Sequence, residues 1–484
     1  MQTIDLPPFA PILMESTRAI GYTLEAAVAD ILDNSITAKA NNIEIYYYPI
    51  DAYVAFLDDG TGMDECEINR AMQYGSQNPA DIRNEYDLGR FGLGLKTASL
   101  SQCRCLTVLS KQGNSIVGRR WDLDHVAESK SWSLIILDEE DLNEEQIPHY
   151  DDLKQFENGT LVVWEKLDRL EKGNQDLEES LGRKMDDVCE HLALVFHRYL
   201  SGEPGLKRIS ISMNHVPIDP IDPFITNKST QCMDDEILQI RGEKIVIRPY
   251  ILPHSSKLSS AELKVLGGKD GLRKHQGFYI YRNKRLLIWG TWFRMLRKGE
   301  LSKLARVRVD IPNALDDLWT LDIKKSSAMP PFEVKENLRH IIDKMPTRSK
   351  QVFQVRGKKE DDEKQLWGRI RARDNSIYYE INRQHPLVEA IKNKYDIADS
   401  DIDVLLKNLE ELLPLNSLYI DLTNDVKVNN EVGLDEKNIL NKMKQTLDVF
   451  DESKRTALFK TLILTAPYNE YIEFLQEAFD KGEI

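Results

Sequence analysis

Residues 88–99 read Leu-Gly-Arg-Phe-Gly-Leu-Gly-Leu-Lys-Thr-Ala-Ser, and no other segment constrains the fold as much. Glycines that open a helix allow its first backbone N–H groups to approach an anion closely, and the helix dipole favours negative charge there. The pattern is G-x-x-G-x-G. It lacks the G-x-x-x-x-G-K-[ST] order of a P-loop. It also does not follow a strand within a βαβ unit, which disfavours a dinucleotide-binding fingerprint. An anion site therefore has to be built on another architecture, with a helix predicted over 95–103.

Three further segments carry polar groups in an ordered series. Residues 20–40 have apolar positions at helical spacing, among them Ala27, Ile31 and Leu32. Asp30 and Asn34 lie four apart and share one face of that helix. There the Asn34 amide oxygen can coordinate magnesium, and the Asp30 carboxylate can orient or deprotonate a water attacking a γ-phosphate. Alone, D-x-x-x-N is a common pattern and reads as a capped polar helix face. The strand-like runs 43–48 and 53–57 follow, and the second ends in Leu57-Asp58-Asp59-Gly60-Thr61-Gly62-Met63. A buried carboxylate at Asp58 can accept a hydrogen bond from an adenine amino group. Gly60 and Gly62 permit positive φ and a close backbone approach. Alone, this is a strand-ending turn. Last, Gly159-Thr160 places a hydroxyl at the head of the apolar run 161–164.

Taken together over about 130 residues, the order and spacing of these motifs resemble the GHKL ATPase superfamily. That group includes DNA gyrase, heat-shock chaperones, histidine kinases, MutL and MORC proteins. ADILDNSITAKA, LDDGTGM and GRFGLGLKTAS are most similar to MutL- and MORC-like ATPases, within the bacterial branch associated with restriction and phage-defence systems. The resemblance covers about 1–345. It implies ATP and Mg2+ as ligands, with Asn34 the metal ligand. It puts Asp58 on the adenine amino group, with Thr160 nearby through a water. Gly60, Gly62 and Met63 would shape the adenine pocket. Gly89, Arg90, Phe91, Gly92, Leu93, Gly94, Lys96 and Thr97 would form the lid hinge and phosphate cradle. One departure bears on turnover rather than binding: the family pattern usually has Glu where this chain has Asp30, which is one methylene shorter. The resemblance also implies a transducer lysine reaching the γ-phosphate from Leu321–Ser327. Lys325 is preferred over Lys324; successive strand residues point to opposite faces, so only one of the two can reach the site.

The expected fold is α+β: a GHKL, or Bergerat-type, mixed sheet with helices on one face over 1–204, a transducer-like α+β domain over 205–345, and a mainly helical region over 346–484. Strands of the second domain are expected at 208–213, 244–251, 277–282, 286–289 and 307–311. Tyr378–Pro386 is a polar–aromatic cluster, either a turn or a partner contact.

The expected function is an ATP-gated molecular clamp that forms a homodimer on ATP binding and acts on DNA, with nuclease or other defence-system proteins supplying any cutting. A protein-remodelling chaperone and a nucleotide-sensing scaffold with little hydrolysis are the alternatives. Charge bears on the DNA expectation. The chain carries −15 overall, yet residues 251–325 hold 16 Lys and Arg against 7 Asp and Glu. A basic face inside an acidic protein can contact phosphate backbones, with Arg282, Lys284, Arg285, Arg294, Arg297 and Lys298 as candidates; a solvated surface accounts for the clustering equally well. The five cysteines contain no CxxC pair, and no apolar run reaches the roughly 20 residues of a membrane span. A cytoplasmic protein without a membrane partner is expected.

Overall fold

The computed structural model describes the chain except for residues 1–2, 5, 7, 20, 76–87, 89–93, 172–176, 229–230, 233, 254–256, 268–270, 300–301, 317, 322–327, 332–333, 341, 343–365, 372–376, 396, 416–435, 449–454, 457–458, 461, 464–467 and 469–470. Two compact units are present, Met1–Phe353 and Gln354–Ile484.

The first unit contains an eight-stranded mixed sheet. In spatial order its strands are Ile135–Leu137, Ser115–Asp122, Cys105–Gln112, Asn158–Glu165, Tyr53–Asp58, Asn42–Tyr48, Ser210–Met213 and Val216–Pro217. Alternation along the strands divides two hydrophobic cores. Val54 and Phe56 face a core shared with the helices Ala10–Arg18, Leu24–Thr37, Gly94–Gln102 and Leu177–Val195. Ala55 and Leu57 face the other side, where Leu142, Tyr150 and Leu153 from two short helices cover the sheet. The expected single helical layer thus holds for the long helices, and residues 139–155 add a partial second layer.

The Leu24–Thr37 helix is the central element. The Thr23 side chain caps it, accepting from the Ala26 amide at 3.3 Å. Ala27, Val28, Ile31 and Leu32 are buried, and so are Asp30 and Asp33 on its polar side. The helix packs against Gly94–Gln102 and Leu177–Val195.

A second sheet runs in the order Glu236–Ile240, Glu243–Ile251, Ala305–Ile311, Gly277–Arg282 and Arg285–Thr291, with Gln231–Cys232 paired to Glu243–Ile251. The Leu177–Val195 helix touches Arg285–Thr291 as well as the central helix. One sequence expectation is corrected here. The strand expected at 208–213 in the second domain pairs in parallel with Asn42–Tyr48 and belongs to the first sheet. Its apolar side chains Ile211 and Met213 fill that sheet's core.

The Gln354–Ile484 unit has a hairpin, Trp367–Arg371 with Ile377–Ile381, followed by helices including Pro386–Tyr395, Asp399–Glu411, Glu436–Leu447 and Ile472–Asp480. The Tyr378–Pro386 cluster is the end of that hairpin and a turn. His385 is buried, and its Nδ1 accepts from the Leu387 amide at 3.2 Å. Arg383 pairs with Asp403 at 2.9 Å and with Glu410, tying the turn to the Asp399–Glu411 helix. Among the described residues, no helix is long and apolar enough to cross a membrane.

Candidate active site

Three neighbouring strands bring Asp58, Thr160 and Ser110 side by side. Asp58 pairs with Thr160, and Thr160 with Ser110, in the strand registers. Strand alternation carries Asp58 onto the helix side after Val54 and Phe56, where the Ser35 hydroxyl donates to its Oδ2 at 2.6 Å. The Gly60 amide donates to Oδ1 at 2.9 Å. Burial pushes the Asp58 carboxyl up to about 6, against the lowering effect of the Ser35 and Gly60 hydrogen bonds. Ser110 Oγ donates to the Gly159 carbonyl, lies 3.2 Å from Thr160 Oγ1, and accepts from the Met63 amide at 2.8 Å.

Gly62 and Gly159 are set by space. Gly62 has φ +67°, and a Cβ there would lie 2.1 Å from the Lys111 carbonyl oxygen. A Cβ at Gly159 would lie 2.4 Å from the Asp58 carbonyl oxygen. The turn after Asp58 is therefore pressed against its neighbouring strands, and larger residues would displace it.

On the helix side, Asp30 is buried while Asn34, one turn later, is exposed. Tyr22 donates to Asp30 Oδ2 at 3.1 Å. Gly94 opens its helix against this carboxylate, since a Cβ there would lie 3.7 Å from Asp30 Oδ2. Leu88, immediately before the glycine-rich segment, is held from both sides. Its amide donates to Thr37 Oγ1 at 3.3 Å, and its carbonyl accepts from Arg282 Nη1 at 3.0 Å.

The structure therefore gathers Asp30, Asn34, Asp58, Gly60, Gly62, Met63, Gly94 and Thr160 around the joint between the central helix and the sheet. Gly89, Arg90, Phe91, Gly92, Leu93, Lys324 and Lys325 lie outside the described residues. Thr97 is buried in the Gly94–Gln102 helix. Lys96, expected in the phosphate cradle, is instead buried, with its ammonium donating to the Ala71 carbonyl at 2.7 Å. Burial lowers its pKa to about 8.

Two residues expected on a DNA-facing surface are corrected. Arg282 is buried and paired with Asp316 at 2.7 Å. Arg285 is buried, and its Nε donates to Asp33 Oδ1 at 2.8 Å. Both guanidiniums point at carboxylates or carbonyls of this unit, because Gly277–Arg282 and Arg285–Thr291 are packed strands. Lys284, Arg294 and Arg297 are exposed, whereas Lys298 is half-buried and donates to the Lys274 carbonyl. The sequence reading also passed over Ser35, Ser110 and Tyr22. Only Ser35 carried a signal, as the polar neighbour of Asn34 one residue further round the helix.

The family described as histidine kinase-, DNA gyrase B-, and HSP90-like ATPase matches residues 22–160. A mouse (Mus musculus) protein described as ATPase MORC2B is 29% identical over 98 residues, which cover 19% of this chain and 10% of that protein. The matched stretch is thus about a tenth of that relative's length.

Proposed function

We propose that this chain, which carries a histidine kinase-, DNA gyrase B- and HSP90-like ATPase domain at residues 22–160, binds ATP with Mg2+ and hydrolyses it slowly. The observation that carries this reading is the Asp58 carboxylate, buried between the central helix and the sheet and held by Ser35 and Gly60. A carboxylate so fixed presents a directed acceptor to an exocyclic amine. Gly60, Gly62 and the Met63 turn would lie under the adenine, with Thr160 beside it.

The exposed Asn34 side chain offers one hard oxygen, and no group of three or more His, Cys, Asp or Glu residues able to hold a metal occurs among the described residues. That sparse donor set fits Mg2+, which keeps waters and substrate phosphates as its other ligands. When bound, the ion would neutralise charge on the phosphates. Asp30, one turn away, would accept the proton of the water whose oxygen attacks the γ-phosphorus as the β–γ bridging bond breaks. The Gly89–Thr97 segment would receive the phosphates, and Lys325 would approach from the second domain. We assign nucleotide binding to the first sheet and its helices, with the Ser210–Met213 and Val216–Pro217 strands included, and a transducer role to the second sheet up to about 345, and leave 346–484 without one.

Beyond the nucleotide, the reading extends to a homodimeric clamp in the cytoplasm that closes on ATP and acts on DNA through exposed basic residues, Lys284, Arg294 and Arg297. A setting in restriction or phage defence, with partner nucleases, rests on the resemblance of its motifs alone. A second reading, a nucleotide sensor with little hydrolysis, is favoured by one observation. Asp30 is short, and both its oxygens are already approached, by Tyr22 and by Arg285.

Calorimetric titration with ATP, with and without Mg2+, alongside steady-state turnover separates the two. Binding lost in Asn34→Ala, and turnover lost by about 10²–10⁴-fold in Asp30→Asn with binding kept, supports the ATPase. Magnesium-dependent binding without turnover in the wild type supports the sensor. No ATP binding at all overturns both.

A further inference from the structure

Asp58, Thr160 and Ser110 stand in one row across three hydrogen-bonded strands. Ser110 is the member wholly withdrawn from the surface, 0% exposed against 5% for Asp58 and 9% for Thr160. A serine hydroxyl has one proton to give and two lone pairs to offer. Here it meets three partners. The Met63 amide donates to it at 2.8 Å, the Gly159 carbonyl accepts from it at 3.2 Å, and Thr160 Oγ1 lies 3.2 Å away. The amide takes one lone pair and the carbonyl takes the proton, so the second lone pair falls to the Thr160 hydroxyl. The hydrogen-bonding capacity of Ser110 is thereby used in full.

Two of these partners belong to opposite sides of the candidate base pocket. Met63 ends the turn that follows Asp58, and Thr160 lies on the strand beside it. Three amides hold that turn. Gly60 donates to Asp58 Oδ1 at 2.9 Å, Thr61 to the Ala38 carbonyl at 2.9 Å, and Met63 to Ser110 Oγ. The first bond is internal to the turn, and the second goes to backbone at the end of the central helix. The third alone depends on a side chain from another strand, so a substitution can remove it without touching the carboxylate. Further along the same strand, Gln112 Nε2 donates to Glu67 Oε2 at 3.3 Å, and Glu67 closes a capping box with Asp64 at the start of the Glu65–Met72 helix.

We infer that Ser110 is a positioning residue for adenine recognition: its hydroxyl ties the Met63 turn to Thr160, so that a base between them meets the Asp58 carboxylate in register. This rests on the reading of Asp58 as acceptor of the adenine amine. Ser110 is fully covered and works through Met63 and Thr160 rather than by touching the nucleotide. Hydrogen bonds weaken steeply as their angle departs from linear. An amine shifted by a slack turn therefore loses much of its bond to a carboxylate that Ser35 and Gly60 keep fixed. Guanine carries a carbonyl oxygen at the same ring position and gains nothing from Asp58 in either case. Slackening the pocket should thus cost adenine nucleotides more than guanine nucleotides. It should cost ATP and ADP alike, because the γ-phosphate takes no part.

Calorimetric dissociation constants for ATP, ADP and GTP, measured on the full chain, test this in wild type, Ser110→Ala, Ser110→Cys, Ser110→Thr and Asp58→Asn. Cysteine keeps nearly the same volume while replacing the hydroxyl by a weak acceptor, so it stays informative if Ser110→Ala does not fold. Both should bind ATP and ADP about tenfold more weakly, the scale of one buried hydrogen bond, and GTP within about threefold of wild type. The preference for ATP over GTP then falls severalfold. Ser110→Thr keeps the hydroxyl and should restore most of that preference. An unchanged preference in both variants lacking the hydroxyl, with ATP binding weakened in Asp58→Asn, overturns the inference and leaves the adenine reading standing. Failure of both to fold does the same, since the hydroxyl would then be a requirement of the fold. Equal wild-type affinity for ATP and GTP, or undiminished ATP binding in Asp58→Asn, overturns the adenine reading as well.

Discussion

Asp58 and Asp59 are consecutive carboxylates with opposite fates. Asp59 turns outward, and its Oδ1 accepts from the Asn41 and Asn42 amides at 2.6 and 2.9 Å, tying the turn to the neighbouring strand. Asp58 turns inward, and burial lifts its pKa from 3.8 to about 6. The folded protein therefore binds this proton more tightly than the unfolded chain. Stability falls as pH rises from about 4 to 6, and a penalty of about 3 kcal/mol is complete above that window. A carboxylate kept at such a cost points to use. Asp58→Asn should remove the decline between pH 4 and 6 in urea-unfolding free energy, leaving the nucleotide-free protein at least as stable near pH 7. It should also weaken ATP binding by about 1–3 kcal/mol, the cost of mispairing a buried partner. Loss of both stability and binding in parallel would make Asp58 a fold residue instead.

At the scale of elements, Lys96 repeats this conflict with the opposite charge. It sits in the first turn of the Gly94–Gln102 helix, where the dipole opposes a cation, and its described partner is one carbonyl. Its pKa is lowered from 10.5 to about 8. Between those values the unfolded chain binds more protons, so stability rises with pH there, and the full penalty applies below pH 8. Lys96→Met should raise urea-unfolding free energy at pH 7 by about 1–3 kcal/mol, less than the shift implies because the Ala71 carbonyl loses its donor. The advantage should shrink by pH 10. An equal gain at both pH values would show that the fold does not lower the proton affinity of the lysine.

The same elements show what the sequence could and could not reveal. The placement of Asp58, Gly60, Gly62 and Asn34 was legible because each motif is local: a strand end, a turn and a helical repeat fix their neighbours within a few residues. Lys96 was not, because its direction depends on the Glu65–Met72 helix that it closes. Arg282 and Arg285 were misread for a related reason. A charged residue in a short basic run is usually exposed, and nothing within the run signals that Asp316, Asp33 and the Leu88 carbonyl lie opposite. The strand at 210–213 has an apolar alternation that fits either sheet; only its partner decides.

For the whole molecule, removing Arg282 and Arg285 from the candidate DNA surface leaves Lys284, Arg294 and Arg297. If this face contacts duplex DNA in an ATP-closed dimer, binding should depend steeply on salt, with a slope of about −0.9 per phosphate neutralised. Fluorescence anisotropy, with and without a non-hydrolysable ATP analogue, should show tighter binding with the analogue. Changing the three residues to Gln should flatten the slope, while sedimentation still shows nucleotide-driven dimerisation. No binding at low salt in either state removes DNA as the target.

The Ser210–Met213 strand reaches back from beyond the Leu177–Val195 helix to cover Asn42–Tyr48. A fragment ending at residue 204 would strip that cover. It would leave the peptide groups of Ile43, Ile45 and their neighbours as an open edge, a template for other chains to add to. Such a fragment should associate with itself, visible as light scattering that grows with concentration, whereas one ending near residue 220 should stay dispersed. The nucleotide module is consequently not a contiguous cassette of the matched 22–160 region, and dissecting it at the apparent domain border would manufacture stickiness that the intact chain does not have.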